Sequence, residues 1–352
     1  MNILRIPTLA DVHVHLREPG GTQKEDFNSG TKAAIAGGYT QILDMPNNTP
    51  PTVSPSDIAT KEKLAKGRIW CDVGFNFGAS KESTKYFDKV QKKVFALKVY
   101  MNQTTGSLLI GTKTERELIF SKWERGLPIM VHAEGETVET AISLAKKYNR
   151  KLHVCHVTAE QVQVIKKAKN AGISISCEVC PHHLFLSRKD ISKLGNFAIM
   201  KPPLLSEKDR EKLWDAMADI DMISTDHAPH TTGEKMDQSS PKYGVPGLET
   251  TLPLMLWAAD RRLITVDQIT KLLSTNPKKI FHLPHQSDTY LVIDISAKYK
   301  ISQIPLFTKC NWTPFGDHDG VGKIKKVVLR GETVFENGNF IGKPNGVVMY
   351  KK

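Results

Sequence analysis

Residues Leu127 to Thr158 read LPIMVHAEGETVETAISLAKKYNRKLHVCHVT. The first eight residues are an apolar run ending in polar ones, the signature of a buried strand. Glu136 to Tyr148 then places Val138, Ala141, Ile142 and Ala145 at helical spacing,. KLHVCHVT returns to a strand. A strand, a helix and a second strand make a parallel pair with a crossover. The unit recurs on both sides. Upstream, TKAAIAGG (Thr31 to Gly38) reads as a helix closed by glycine, and YTQILDMPN as the strand after it. Downstream, TAEQVQVIKKAKNAG is a helix ending at Gly172, ISISCEVC a strand, and SEKDREKLWDAMAD a helix capped by Ser206 with Asp209 in the capping position,. MISTDHAPH is the last strand of the series. An open doubly wound sheet and a closed eight-stranded barrel both fit this alternation.

The polar residues at the strand ends favour the closed form. Asp11-Val12-His13-Val14-His15 alternates, so His13 and His15 share one strand face and offer two imidazoles to one divalent metal,. Taken alone, an H-x-H pair is more often two satisfied core histidines. It is not alone: His132 ends IMVHAE, His156 ends HVCHVT, and Asp226 ends MISTDHAPH. Functional groups gathered from the C-terminal ends of several strands are a barrel property. Lys98 ends another apolar strand, VFALKVYMN, where an unpaired ammonium would be expensive,. The ordinary reading is a lysine whose stem is buried and whose head reaches water. The alternative is a neutral amine that takes up carbon dioxide and becomes an anionic carbamate able to bridge two metals. The expected architecture is a (β/α)8 barrel over residues 8–285. YLVIDIS, KVVLRGETVFENGNF and GVVMY, with the hairpin signal Asn337-Gly338, would join residues 1–7 in a small β appendage formed by 1–7 and 286–352,.

Composition narrows the functional classes. Of 352 residues, 40% are hydrophobic and 24% charged, the balance of a globular chain with a large core,. Forty-nine Lys+Arg against 37 Asp+Glu give +12, but the lysines are scattered in solvated pairs such as Lys92-Lys93 and Lys146-Lys147, without interleaved aromatics. An anionic substrate and a lysine-rich surface explain that charge better than nucleic acid. Five cysteines, an odd number, argue against a disulfide framework and for a reducing compartment,. The opening MNILRIPTLADVHVHL has no signal-peptide pattern, and no apolar run approaches roughly 18 residues, so a cytoplasmic protein without membrane attachment is expected,.

Together DVHVHLREPG, MPNNTPP, the Lys98 strand, VHAE, CHV, EVCPHHLFL, STDHAPHT and YGVPGLET resemble the dihydroorotases of the amidohydrolase superfamily, in particular the form carried by the multifunctional animal pyrimidine-synthesis protein. The resemblance runs from about Leu4 to the end. It implies reversible cyclisation of N-carbamoyl-L-aspartate to L-dihydroorotate by a hydroxide shared between two Zn2+, with Asp226 as general acid and base. One ion would be held by His13, His15, carboxylated Lys98 and Asp226, the other by Lys98, His132 and His156. Cys155, Glu178 and His183 match a third zinc position, although strand alternation sets Cys155 on the face opposite His156. Cys177 and Cys180 form a lone C-x-x-C, read as buried thiols.

Arg17 shares the parity of His15, and its planar fork suits a substrate carboxylate. The resemblance adds Asn47 and His230 to that anion site, backbone groups near Tyr243 and Gly244 to the pyrimidine ring, and a flexible loop carrying Thr104 and Thr105. Two departures from the animal pattern stand out: the second loop position there is aromatic, and Lys201 replaces an arginine. A homodimer, associated with other pyrimidine-pathway enzymes, is the expected assembly. The competing readings are a hydantoinase, dihydropyrimidinase or allantoinase, and a non-catalytic scaffold, which would usually have lost metal ligands.

Overall fold

The computed structural model describes residues 2–351. A short strand, β1 (Ile3–Pro7), precedes the staves of a barrel: β2 (Leu9–Val14), β3 (Tyr39–Asp44), β4 (Asp72–Phe75), β5 (Phe77–Gly78), β6 (Leu97–Tyr100), β7 (Ile129–His132), β8 (Leu152–Val154), β9 (Ile175–Val179) and β10 (Met222–Ile223). All pairings among them are parallel, in the orders β2-β3-β4 and β5-β6-β7-β8-β9-β10. β4 and β5 are one stave interrupted at Asn76, whose side chain reaches across to the carbonyl of Val12. The ring closes where Val14 bridges His227, the His15 N–H donates to the His227 carbonyl at 2.8 Å, and the Thr225 N–H donates to Asp11. Eight staves therefore form a closed barrel, and the strand ends point to one mouth.

Crossover helices cover the outside, starting and stopping where the chain supplies caps. Glu136–Tyr148 closes on Asn149, which takes the left-handed conformation at φ 51°,. Ala159–Asn170 starts at a Thr158/Gln161 capping box, and Glu207–Asp215 at Ser206,. One start differs from the sequence reading. The first barrel helix runs over Phe27–Ala36, not from Thr31, because the Asp26 side chain accepts the N–H groups of Asn28 and Ser29 and Phe27 is wholly buried. Inside the staves Val12, Leu43, Met130 and Met222 pack with Phe95, Phe281 and Met349 in a cluster separate from the strand–helix core. This is the apolar filling of the barrel.

The termini build the second sheet, β1-β11-β12-β13-β14, from β11 (Tyr290–Lys300), β12 (Asp319–Leu329), β13 (Glu332–Glu336) and β14 (Asn339–Phe340), all antiparallel. Asn337 and Gly338, at φ 48° and 89°, form the last turn. GVVMY is a correction: it does not join this sheet. Val348 bridges Val73 of the barrel, with the Val73 N–H donating to the Val347 carbonyl at 3.0 Å and the Met349 N–H to the Val73 carbonyl at 2.8 Å. Its apolar residues find a partner on the barrel wall instead.

Glu249 lies buried where the barrel meets this sheet, accepting the N–H groups of Phe307 and Thr308. Burial pushes its carboxyl up to about 8, from an ordinary value of 4.5. Between those values the folded chain holds a proton that the unfolded chain has released, so stability falls as pH rises through that window. Glu249→Gln should flatten this part of the profile. Urea unfolding at pH 5 and pH 9 checks it: an unchanged loss of stability in the variant removes Glu249 as the cause.

Candidate active site

Every strand end singled out from the sequence faces the same mouth. His13, His15, Lys98, His132, His156 and Asp226 line one pocket with Arg17, Asn47, Tyr100, Thr104, Thr105, Lys201, Tyr243 and Gly244. The two imidazoles of the first stave face Asp226: His13 Nε2 and His15 Nε2 lie 3.2 and 3.0 Å from its Oδ1. Across the pocket His132 Nδ1 and His156 Nε2 are 2.9 Å apart, and the His13 and His156 rings are 5.7 Å apart between centroids. Lys98 is fully buried, with its Nζ 3.0 Å from Cys155 Sγ. Three of the pocket residues hold a backbone conformation that side chains disfavour: Arg17, His156 and Asp226 have φ of 60°, 38° and 45°. Such strain persists where the surrounding fold enforces it, commonly at functional sites.

The outer partners of the imidazoles fix how they face. His15 Nδ1 donates to Asn47 Oδ1 at 2.6 Å, leaving the Nε2 lone pair toward Asp226. His13 Nδ1 is held by Glu178, which also reaches His153 Nε2 at 3.1 Å. Side-chain oxygens behind inward-facing imidazoles are how proteins orient metal ligands. Burial and Lys98 pull the His13 imidazole down, but Asp226 and Glu178 outweigh them and push it up to about 10. Burial pushes His15 down to about 4 and lowers His132 and His156 as well, which keeps their lone pairs available. Burial opposes ionisation of Asp226, yet His13 and His15 hold its carboxyl below the usual range,. His156 Nδ1 is buried and has no partner among the described residues. His13, His15 and Asp226 can offer ligand atoms all within 4.8 Å of one another. The set of buried imidazoles and a carboxylate suits a divalent ion of the zinc, cobalt or manganese type.

The expected third set is corrected. Cys155 and Glu178 come together with His13, not with His183. β8 ends at Val154, so the alternation that set Cys155 on the other face has already stopped, and His156 turns at positive φ. His183 instead groups with Cys180 and His182.

Arg17 is also placed differently from its sequence reading. It lies on the loop beyond β2, not on strand parity, yet it enters the pocket. Its Nε donates to the Pro229 carbonyl at 3.1 Å. His230 Nε2 lies 3.1 Å from Arg17 Nη2 and 2.9 Å from the Tyr243 carbonyl. A carbonyl only accepts, so Nε2 carries the proton, and Nδ1 accepts from Lys24 at 3.3 Å,. His230 thus cannot accept from Arg17. No carboxylate lies within ion-pair distance of the Arg17 guanidinium among the described residues. A buried guanidinium with part of its fork unpaired is a site for an anion.

Asn47 is occupied at both ends, by His15 and by the Thr105 carbonyl at 3.3 Å, so it orients the His15 ring and ties down the Thr104–Thr105 loop. Lys201 donates to the Gln103 carbonyl at 2.7 Å and sits 4.7 Å from the Tyr243 ring centroid, bridging that loop to the opposite rim. Gly244 needs its glycine: at φ 130°, a Cβ would fall 2.6 Å from the Ala228 carbonyl oxygen,. Two groups escaped the sequence reading, one in the pocket and one beside it. The Tyr100 hydroxyl is buried and has no partner among the described residues; its signal was the shared parity with Lys98 on β6. Glu134, two residues after His132, meets His132 Nε2 at 2.9 Å. Nothing in a lone VHAE distinguishes that carboxylate from a helix-start acid.

A barrel with metal-suited donors at its mouth is common to many hydrolases, and comparison with known proteins narrows the group. The amidohydrolase family profile matches residues 4–289. The chain belongs to the amidohydrolase family. This amidohydrolase is 33% identical to a dihydroorotase of Pyrococcus horikoshii, over 99% of its own length and 84% of that protein. It is 42% identical to the multifunctional protein CAD of Squalus acanthias over 97% of its length, but spans only 15% of that relative. In three dimensions it resembles the L-hydantoinase (dihydropyrimidinase) of Arthrobacter aurescens, with a TM-score of 0.93 at 22% identity, covering 99% of this chain and 89% of that one. That last likeness establishes the barrel and its appended sheet. Among the described residues no helix is long and apolar enough to cross a membrane.

Proposed function

We propose that this amidohydrolase is a dihydroorotase, interconverting N-carbamoyl-L-aspartate and L-dihydroorotate. The observation that carries the substrate class is Arg17: a buried cation with no carboxylate within ion-pair distance among the described residues, at the rim of a donor set suited to metal. Dihydroorotate brings a carboxylate there; dihydrouracil and allantoin do not. Dihydroorotases among the relatives support the same reading. His13, His15 and Asp226 would hold one zinc ion and His132 with His156 the other, Lys98 joining the two as a carbamate. That carbamate forms when the neutral amine adds carbon dioxide and loses one proton. His13, Cys155 and Glu178 offer donors for a third ion.

Bound metal would supply Lewis-acid polarisation of the ring carbonyl and a more acidic water. The chain's own groups do the rest. Asp226 accepts the proton released as water adds to the ring carbonyl, then returns it to the leaving ring nitrogen. In the cyclising direction the same carboxylate takes a proton from the ureido nitrogen. Arg17 anchors the substrate carboxylate, and Asn47 with Lys201 holds the Thr104–Thr105 loop over the pocket. We place the protein in the cytoplasm, as a homodimer, working beside or joined to other activities of pyrimidine synthesis, as the multifunctional relatives suggest.

Dihydroorotate, dihydrouracil and allantoin offered side by side to the zinc-loaded protein test the reading. Turnover of dihydroorotate alone is expected; turnover of either of the others without it overturns the proposal. Arg17→Ala should raise KM for dihydroorotate and lower kcat/KM by on the order of a hundredfold, about 3 kcal/mol. Metal content should stay as in the wild type. Loss of the metals would mean that Arg17 serves the donor set and not the substrate.

A further inference from the structure

The cluster of Cys180, His182 and His183 takes no part in the reaction described above, and its chemistry calls for a ligand. Cys180 follows β9 directly, and Pro181–Phe185 forms a single helical turn in which the His183 N–H donates to the Cys180 carbonyl at 3.0 Å. That turn folds residues 180, 182 and 183 onto each other. The Cys180 sulfur and one nitrogen of each imidazole all lie within 4.8 Å of one another. All three side chains are buried, at 0, 2 and 2% exposure.

Their hydrogen bonding is incomplete. His182 Nε2 and His183 Nδ1 are buried without partners, and Cys180 Sγ makes no hydrogen bond among the described residues. His183 Nε2 lies 3.0 Å from the Pro202 carbonyl oxygen, which can only accept. Nε2 therefore carries the proton, and Nδ1 presents a bare lone pair to the interior. A buried imidazole with an outer carbonyl on one nitrogen and nothing on the other is in the tautomer of a metal ligand. Burial lowers both imidazoles below their ordinary range, which keeps them neutral.

We propose that Cys180, His182 and His183 form a further metal site that takes a borderline-soft cation, zinc in particular. One thiolate and two imidazoles exclude the hard ions, which require oxygen donors. Binding breaks the Cys180 S–H bond, releases one proton to solvent and forms a sulfur–metal bond. The site borders Asp226, near enough to His182 for their charges to influence each other, but shares no ligand with the donor set of the pocket or with the His13, Cys155 and Glu178 group.

Metal stoichiometry and absorption test it without reference to activity. Zinc-loaded wild type, dialysed against a weak chelator, should hold one equivalent more than Cys180→Ala. Cobalt(II) then separates the two thiols: the thiolate-to-cobalt band should persist in Cys155→Ala and vanish when Cys180→Ala is added. Equal zinc in wild type and folded Cys180→Ala overturns the site, as does the lack of a thiolate band in Cys155→Ala. Should the variants fail to fold, zinc-edge anomalous diffraction from unsubstituted, zinc-loaded crystals decides. A peak among Cys180 Sγ and the two imidazoles is the expected result, and no peak there ends the proposal.

Discussion

Lys98→Met is expected to lose its share of bound metal and to turn over dihydroorotate at least roughly a thousandfold more slowly, about 4 kcal/mol of lost transition-state stabilisation. Lys98 is fully buried on β6, its one hydrogen-bond partner among the described residues is the Cys155 sulfur, and no carboxylate lies within ion-pair distance. An ammonium there would be held by a weak acceptor alone, at high cost. A carbamate would remove that cost, because it would exchange an unpaired cation for an anion that bound metal could neutralise. Methionine keeps most of the volume and cannot form it. Folding of the metal-free variant should be at least as stable as that of metal-free wild type, so thermal melts separate lost chemistry from lost structure. Lys98→Ala leaves space, and short carboxylic acids should restore part of its activity. A folded Lys98→Met that keeps wild-type turnover would falsify the bridging role; one that is inactive with its full metal content would confine Lys98 to some other task.

What the sequence revealed follows from which interactions are local. Strand–helix alternation was legible because each element is specified by its own periodicity and caps, as in Glu136–Tyr148. The meeting of the strand-end side chains in one pocket was legible because a barrel sends every C-terminal strand end to one mouth,. The failures share a different cause. Helix Phe27–Ala36 began early because the Asp26 cap sits in a segment that reads as a turn. Val348 left the expected sheet because its partner, Val73, is 275 residues away and nothing local specifies it. The facing of Cys155, and the route by which Arg17 reaches the pocket, differ from period-two reasoning because that reasoning runs past the last strand residue, where loop backbone at positive φ resets the directions. Glu178 behind His13, and Asn47 between His15 and the Thr105 carbonyl, are contacts across 165 and 58 or fewer residues that no spacing encodes.

Asp226→Asn should separate chemistry from recognition. The asparagine is nearly isosteric, so it can keep the backbone turn at φ 45° and stay between His13 Nε2 and His15 Nε2. What it loses is the charge. The carboxylate is ionised because the two imidazoles outweigh its burial, and that form alone can accept a proton as water adds to the ring. General acid–base assistance of this kind is worth about 10²- to 10⁴-fold, so kcat at saturating metal should fall by that range in both directions of the reaction. On the proposed role of Arg17 the substrate carboxylate would still be anchored, so KM for dihydroorotate should change little. Arg17→Ala gives the opposite signature, a raised KM with metal content intact. The same pocket therefore predicts two distinguishable defects from residues that share it. A raised KM with unaltered kcat in Asp226→Asn would assign Asp226 to binding, and the proton would have to travel through another group, such as the Tyr100 hydroxyl that also lines the pocket.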